Sequence, residues 1–197
     1  DLRLMVGSLG ARASASIGIV STTIWLFGGL CTSAATGFYV QVAHLVGGKN
    51  YAGARDVLRQ SITTTLLFSY TLMLIGICIS PYLPIWLGGE NAICEDATSY
   101  FFIYSATLPI IQLKTLAGGM LRSCGNVKVP SVLNIFMCVE DVLFNYLFIF
   151  PTHDTHIGNI DITIPGAGMG VKGAAIATML SIVITCILMW WFLIFRC

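Results

Sequence analysis

The sequence predicts an all-α integral membrane protein, and composition, long apolar runs and the residues between those runs each support this fold class. Of the 197 residues, 56% are hydrophobic and 10% are charged, whereas an ordinary soluble domain has about 25% charged residues. Ten Lys/Arg and nine Asp/Glu cannot cover so apolar a chain in water, so we expect lipid around it.

Five runs are long and apolar enough to cross a bilayer as helices, in which every backbone group can be satisfied without water. We name them segments A to E in chain order, near 13–45, 58–87, 98–121, 130–150 and 168–195. Segment A is longer than one straight span requires. We interpret it as a single long helix that continues through Gly28-Gly29.

Turn-forming residues separate the segments. Gly47-Gly48 follows A, Pro81 and Pro84 end B, and Gly125 with Pro130 divides C from D. The A–B and C–D linkers carry Lys49, Arg55, Arg59, Arg122 and Lys128, which predicts that both are cytoplasmic, although Arg3 and Arg12 fall on the opposite side. The predicted location is a plasma or inner membrane, with several passes through it.

The D–E linker, 151–167, is then an outer loop. Isoleucine alternates with Asp or Thr over 160–164 (IDITI), and this pattern favours an ordered segment, with a hairpin as one option. His153 and His156 could hold a metal ion, but two ligands are too few, and we predict no metal site. The seven cysteines are scattered among apolar residues and are interpreted as small core side chains.

Segment D carries a polar stripe inside the membrane. Asn134, Cys138, Asp141 and Asn145 recur at helical spacing on a surface that is otherwise apolar. Asp141 lies about eleven residues past Pro130, hence roughly 16 Å into the bilayer. A carboxylate at this depth costs about 2.5–3.5 kcal/mol, which makes it a functional candidate. The alternative is a buried polar clamp between helices.

Two further charges lie deep in the membrane. Glu140 is next to Asp141 but about 100° around the helix. Lys114 is eight residues before Arg122 and therefore about 12 Å from the cytoplasmic edge. If segments C and D are antiparallel neighbours, Lys114 can form an ion pair with Asp141 or Glu140. Otherwise its stem reaches the inner interface by snorkelling.

Three stretches resemble one family, the multidrug and toxic compound extrusion (MATE) transporters. They are 37–43 (GFYVQVA), the linker 121–130 (LRSCGNVKVP) and the start of segment E at 170–178 (GVKGAAIAT). The linker is similar to the family pattern Leu-Arg-x-x-Gly-Asp-x-Lys-x-Pro and is the most specific of the three. The resemblance extends over essentially the whole chain.

The resemblance implies a fold of about twelve helices in two bundles, with segments A to E as the second to sixth helices. The partners it implies are membrane lipid, a small-molecule substrate, the first helix and the carboxy-terminal lobe. Family members export cationic or amphipathic compounds in exchange for protons or sodium, with no other cofactor. The chain is therefore expected to be a transporter and not an enzyme.

The resemblance also implies a site for the coupling ion. Asp141 and Asn145 match the family's fifth-helix pair with the two residue types exchanged, and Thr178 matches a sixth-helix Thr. Asp1 lies one residue out of register with a first-helix Asp. A fourth-helix Asn falls near Lys114 or Thr115. The candidate residues for the ion-coupling site and substrate cavity are Asp141, Asn145, Lys114, Glu140, Thr178, Asn134 and Asp1.

Other functions are open at this stage. The nearest is a lipid-linked oligosaccharide flippase of the same superfamily, although such proteins need several basic residues to hold phosphates. An intramembrane enzyme would need paired carboxyls, yet adjacent residues of a helix diverge. A receptor or purely structural bundle is a further alternative. A net charge of +1 without basic runs excludes nucleic acid as a partner.

Overall fold

A computed structural model describes residues 11–149, 151–157 and 160–196, and helices account for most of them. Five helices are long and one is a single turn, and a two-stranded hairpin lies between the last two helices. The elements are α1 (Ala11–Gly47), α2 (Tyr51–Ile79), α3 (Leu83–Trp86), α4 (Asn91–Ser123), α5 (Lys128–Ile149), β1 (Pro151–Ile157), β2 (Ile160–Ala167) and α6 (Gly170–Arg196).

Four of the described helices, α1, α2, α5 and α6, are long and apolar enough to cross a membrane. The fifth long helix, α4, has 33 residues and is long enough, but it is less apolar. Its position explains this difference, because α4 lies at the centre and contacts α1, α2 and α6. A helix surrounded by protein can carry polar side chains that a lipid-facing helix cannot.

The order of the helices in space differs from their order in the chain. Helix α6 packs against both α5 and α4, whereas α4 and α5 make only a few contacts with each other. The condition set for the Lys114 ion pair, that segments C and D are close neighbours, is therefore not met. Consecutive helices are often adjacent, but here the last helix comes between them.

The helices also extend beyond the apolar runs that predicted them. Segment A is one uninterrupted helix through Gly28-Gly29, as interpreted from the sequence. Segment B, predicted at 58–87, is instead α2 followed by the separate turn α3. Helix α2 begins earlier because Asn50 caps it, accepting a hydrogen bond from the Gly53 amide at 3.0 Å. It ends before Pro81, which has no backbone N–H with which to continue the helical hydrogen bonds.

Within 151–157 and 160–167, the strands β1 and β2 pair antiparallel, which matches the hairpin option for this linker. His153 is opposite Ile164 and Ile157 is opposite Ile160 in the register of the two strands. A bulge interrupts the pairing between Pro151 and His153. The hairpin connects the end of α5 to α6, and the Met169 amide donates a hydrogen bond to the Phe148 carbonyl at 2.9 Å.

Two apolar clusters form the core, one towards each end of the bundle. The first joins α1, α2, α4 and α6 around Phe27 and Phe101, whose rings meet edge to face at 5.9 Å. The second joins the opposite ends of α1, α4, α5 and α6 around Leu116, Met120 and Met189. Glycines permit close helix contacts here, because a Cβ at Gly119 would overlap the Tyr39 ring and one at Gly173 would meet the Phe148 carbonyl oxygen.

Candidate functional site

The polar stripe of α5 places two unpaired oxygens one helical turn apart. Asn145 is 1% exposed, and its Nδ2 donates a hydrogen bond to the backbone carbonyl of Asp141 at 2.7 Å. This bond fixes the amide so that Oδ1 points elsewhere. Asn145 Oδ1 and Asp141 Oδ1 are both buried and accept no hydrogen bond within the described part of the chain. Two buried acceptors without donors are costly, by about 1–3 kcal/mol each, unless a cation or proton satisfies them.

Thr178 of α6 provides a third such oxygen. Its Oγ1 is buried and has no hydrogen-bond partner among the described residues. Thr178 lines a small cavity between α4 and α6, with Tyr100, Tyr104 and Thr107 on the opposite wall. The cavity measures about 20 Å³, which is room for roughly one water molecule or a small ion.

Tyr100 connects the cavity to the α5 carboxylate. It lines the cavity beside Thr178 and lies close enough to Asp141 for the two groups to interact electrostatically. Asp141 and Asn145 do not line the cavity themselves, but they lie on α5, which packs against α6, the helix that carries Thr178. Carboxylate, amide and hydroxyl oxygens are ligands suited to a hard monovalent cation, and a membrane carboxylate can also carry a proton.

The sequence reasoning missed the residues that α4 contributes. Tyr100, Tyr104, Thr107 and Ile111 recur at intervals of three and four and thus share one face of the helix. That spacing was available in the sequence as a signal. A charge in an apolar run is conspicuous, whereas tyrosine and threonine in membrane helices are common.

An open groove lies on the other side of the same α4 face. It measures about 580 Å³ and runs along α1, where Gly28, Gly29, Thr32 and Ser33 give it a small and polar wall. Tyr104 and Ile111 line both the groove and the small cavity. The Tyr104 hydroxyl donates a hydrogen bond to the Ile24 carbonyl of α1 at 3.1 Å. One side chain thus separates the groove from the cavity and joins α4 to α1.

Lys114 does not form the ion pair predicted for it. Its Nζ lies 3.2 Å from the Met137 sulfur, and neither Asp141 nor Glu140 is within salt-bridge distance. The ion pair is not formed because α4 and α5 make only a few contacts, and Lys114 reaches α5 at Met137, one turn before Asp141. Cys138 and Cys186 are close enough to interact electrostatically with the ammonium group. Lys114 is half-buried and packs beside Met137, which lies one turn of α5 before Asp141.

The remaining predicted residues lie apart from this cluster. Glu140 is half-buried with an unpaired Oε2; like Asp141 and Asn145 it does not line the cavity, and unlike Asp141 it has no electrostatic interaction with Tyr100. Asn134 is half-buried and makes no side-chain hydrogen bond within the described ranges. Asp1 lies outside the described residues. Across the described positions, no group of three His, Cys, Asp or Glu residues could hold a metal ion.

Long apolar helices around buried polar oxygens, beside an open groove, define a polytopic membrane protein with the features of a transporter lobe. Comparison with known proteins specifies the family. The MatE family model matches residues 2–147, which is more than half of the chain. The chain belongs to the MatE family.

Individual relatives agree with this assignment. The chain is 23% identical over 177 residues to a protein of Shewanella oneidensis described as "FAD transporter", covering 89% of this chain and 36% of that protein. It is 22% identical over 176 residues to "Probable multidrug resistance protein NorM" of Thermotoga maritima, again covering 89% of this chain and 36% of the relative. The chain thus spans little more than a third of the length of either relative.

Solved structures show the same fold. A crystal structure of MATE in complex with MaD3S matches with a TM-score of 0.85 at 22% identity, covering 98% of this chain and 40% of that one. An inward-facing MATE family transporter of the MOP superfamily matches with a TM-score of 0.83 at 22% identity, covering all of this chain (100%) and 41% of the other. An outward-facing conformation of such a transporter matches with a TM-score of 0.82 at 22% identity. The match covers 99% of this chain and 40% of the other.

Proposed function

We propose that this chain forms most of the amino-terminal lobe of a secondary active transporter that exports cationic or amphipathic small molecules in exchange for protons or sodium. The coupling ion binds among Asp141, Asn145 and Thr178, and the substrate binds in the groove along α1 and α4. The rest of the transporter, including the first helix and a second lobe, lies outside this chain and closes the groove from its open side.

The observation that carries this proposal is the wall shared by the two spaces. Tyr104 and Ile111 border both the groove and the cavity beside Thr178. A cation that enters the cavity changes the positions available to these side chains, and so changes the shape of the groove. A substrate in the groove acts on the cavity in the same way, because coupling between two sites is reciprocal.

Alternating access follows if the shared wall has two arrangements. Tyr104 holds α4 to α1 through its hydrogen bond to Ile24. An ion at the α5 carboxylate favours one arrangement of these helices, and release of the ion favours the other. Rocking of one lobe against another around a fixed site then exposes the groove to each side of the membrane in turn.

The test is transport by the full-length protein in sealed vesicles. A fluorescent organic cation is loaded and its efflux is followed after a proton gradient, a sodium gradient or neither is imposed. Faster efflux with one gradient, and movement of that ion in the opposite direction, is the expected result. Efflux that neither gradient accelerates, in vesicles where the protein is folded, would reject coupled export.

A second substrate class has a specific observation in its favour. The Shewanella relative bears the description "FAD transporter", and FAD is a large anion with two phosphates. Lys114, which makes no ion pair in the described structure, is a basic group that such a substrate could approach. The vesicle assay with FAD in place of the organic cation distinguishes the two classes. A phosphate-bearing substrate would also revive the flippase alternative.

A further inference from the structure

The end of the bundle that we predict to be cytoplasmic contains a second groove, distinct from the one along α1 and α4. The carboxyl ends of α1, α4 and α6 meet the amino ends of α2 and α5 there. The groove has two connected parts of about 390 Å³ and about 720 Å³. Both parts are lined by Val46, Tyr51 and Cys124, so they form one continuous surface. We call it the inner groove.

The floor of the inner groove is apolar and its rim is basic. Val42, Leu58 and Leu193 line the floor, and Ile194, which is 67% exposed, continues it towards the lipid-facing surface of α6. Arg55 lines one part and Lys128 lines the other. An occupant that satisfies both surfaces has a negatively charged end and a long apolar end.

The charge of this end of the molecule has no internal compensation. Five basic side chains lie on the two linkers and the adjacent helix ends, against a single acidic one, Asp56. Within the described residues, none of the five forms an ion pair. At the opposite end, by contrast, Lys172 pairs with Glu95 at 3.4 Å. The five basic residues are Lys49, Arg55, Arg59, Arg122 and Lys128.

We propose that the inner groove binds one anionic phospholipid of the cytoplasmic leaflet. Its phosphate lies between Arg55 and Lys128, and an acyl chain follows Val42, Leu193 and Ile194 out to the bilayer. The lipid thereby links the α1–α2 turn to the α4–α5 turn, and α6 between them. Anionic headgroups attract basic side chains near the membrane surface, while the apolar floor distinguishes a seated lipid from a diffuse layer of headgroups.

The probe is phosphatidylglycerol, with phosphatidylcholine of the same acyl chains as the neutral comparison. The full-length protein, purified in neutral detergent, is mixed with each lipid, and the retained lipid is counted by native mass spectrometry. We expect one phosphatidylglycerol to be retained in preference to phosphatidylcholine. The double variant Arg55→Gln/Lys128→Gln should bind it about 30-fold more weakly, because each basic group near a headgroup contributes roughly a fivefold factor.

A matched double variant tests whether the site is local. Lys49→Gln/Arg59→Gln removes the same charge from the same face, but neither residue lines the inner groove. This variant should retain the lipid nearly as well as the unmodified protein. Equal loss in both double variants would show that only the overall surface charge matters, and would overturn the proposal.

The apolar half of the groove has its own test. Ile194→Ala should weaken retention several-fold, whereas Ile187→Ala, at a position 63% exposed on the same helix but outside the groove, should not. Both changes are at exposed positions and should leave folding intact. Displacement of the lipid by inorganic phosphate would indicate a phosphate site instead. Failure of the unmodified protein to retain any phosphatidylglycerol would overturn the proposal.

Discussion

At the residue scale, the buried polar oxygens of α5 and α6 form the feature that most needs an explanation. Asp141 and Asn145 lie one turn apart, and each keeps an unpaired buried oxygen. The sequence predicted both residues from their spacing in an apolar helix. It could not predict their partners, because these depend on which helix packs against α5, and periodicity within one helix contains no information about its neighbours.

Lys114 provides a test of that distinction. Because its ammonium group faces the Met137 sulfur and no carboxylate, Lys114 and Asp141 should act independently. We expect the losses of thermal stability in Lys114→Met and Asp141→Asn to add in the double variant, within about 0.5 kcal/mol. Recovery of stability in the double variant would restore the ion pair and contradict the described geometry.

Tyr104 is the residue that we expect to connect the ion and the substrate. Tyr104→Phe removes the hydrogen bond to Ile24 and should lower stability by about 1 kcal/mol. It should also weaken the dependence of efflux on the ion gradient. Tyr82→Phe is the control, as Tyr82 is exposed and stacks on Trp86 without lining the cavity or the α1–α4 groove. Equal gradient dependence in both variants would argue against Tyr104 as the shared wall.

At the element scale, α6 packs more closely than composition alone indicated. A Gly/Ala-rich start such as that of α6 is typical of a protein-facing surface in a membrane, and Ala174 and Ala177 are fully buried. Towards its other end the chain is apolar on every side, so the sequence did not distinguish lipid-facing from buried positions. Met189 lies in this apolar half of α6, yet it is 1% exposed in the second core cluster.

A pair of glycine substitutions measures the contact between α6 and α5. A Cβ added at Gly173 would overlap the Phe148 carbonyl oxygen, an atom of the backbone that cannot rotate away. Gly173→Ala should therefore destabilise the protein by about 1–3 kcal/mol or more.

Gly29→Ala is the control, because no atom lies within 4 Å of its added Cβ. It should be neutral or stabilise α1 by about 0.5–1 kcal/mol. Thermal unfolding of the two variants in the same detergent gives the comparison. Similar stability would mean that α5 and α6 do not approach as closely as described.

At the scale of the whole molecule, the orientation in the membrane is a prediction from the basic linkers. Cys94 lies on the side that this orientation places outside, but it is half-buried, so an exposed neighbour is the better probe. In a background without exposed native cysteines, Glu90→Cys should react with an impermeant reagent from outside. Tyr51→Cys and Val127→Cys should react only after the membrane is opened. The reverse pattern would invert the topology and with it the leaflet that supplies the lipid.

The family resemblance in the sequence is confirmed by the family model and by the fold. What the sequence could not supply is the insertion of α6 between α4 and α5, and therefore the composition of the site. Linker motifs such as 121–130 identify relatives through local turn chemistry. Such motifs do not determine which helices pack against one another far from the turn.

The most direct test of the account compares two carboxylates that are adjacent in the chain. Asp141→Asn and Glu140→Gln make the same change of charge, but only Asp141 interacts with Tyr100 at the cavity. In vesicles with the full-length protein, Asp141→Asn should reduce gradient-driven efflux by about 5- to 150-fold, the range of typical coupling free energies. Glu140→Gln should transport at close to the unmodified rate. Unimpaired efflux in Asp141→Asn, or equal loss in both variants, would contradict the proposal that this cluster couples ion binding to transport.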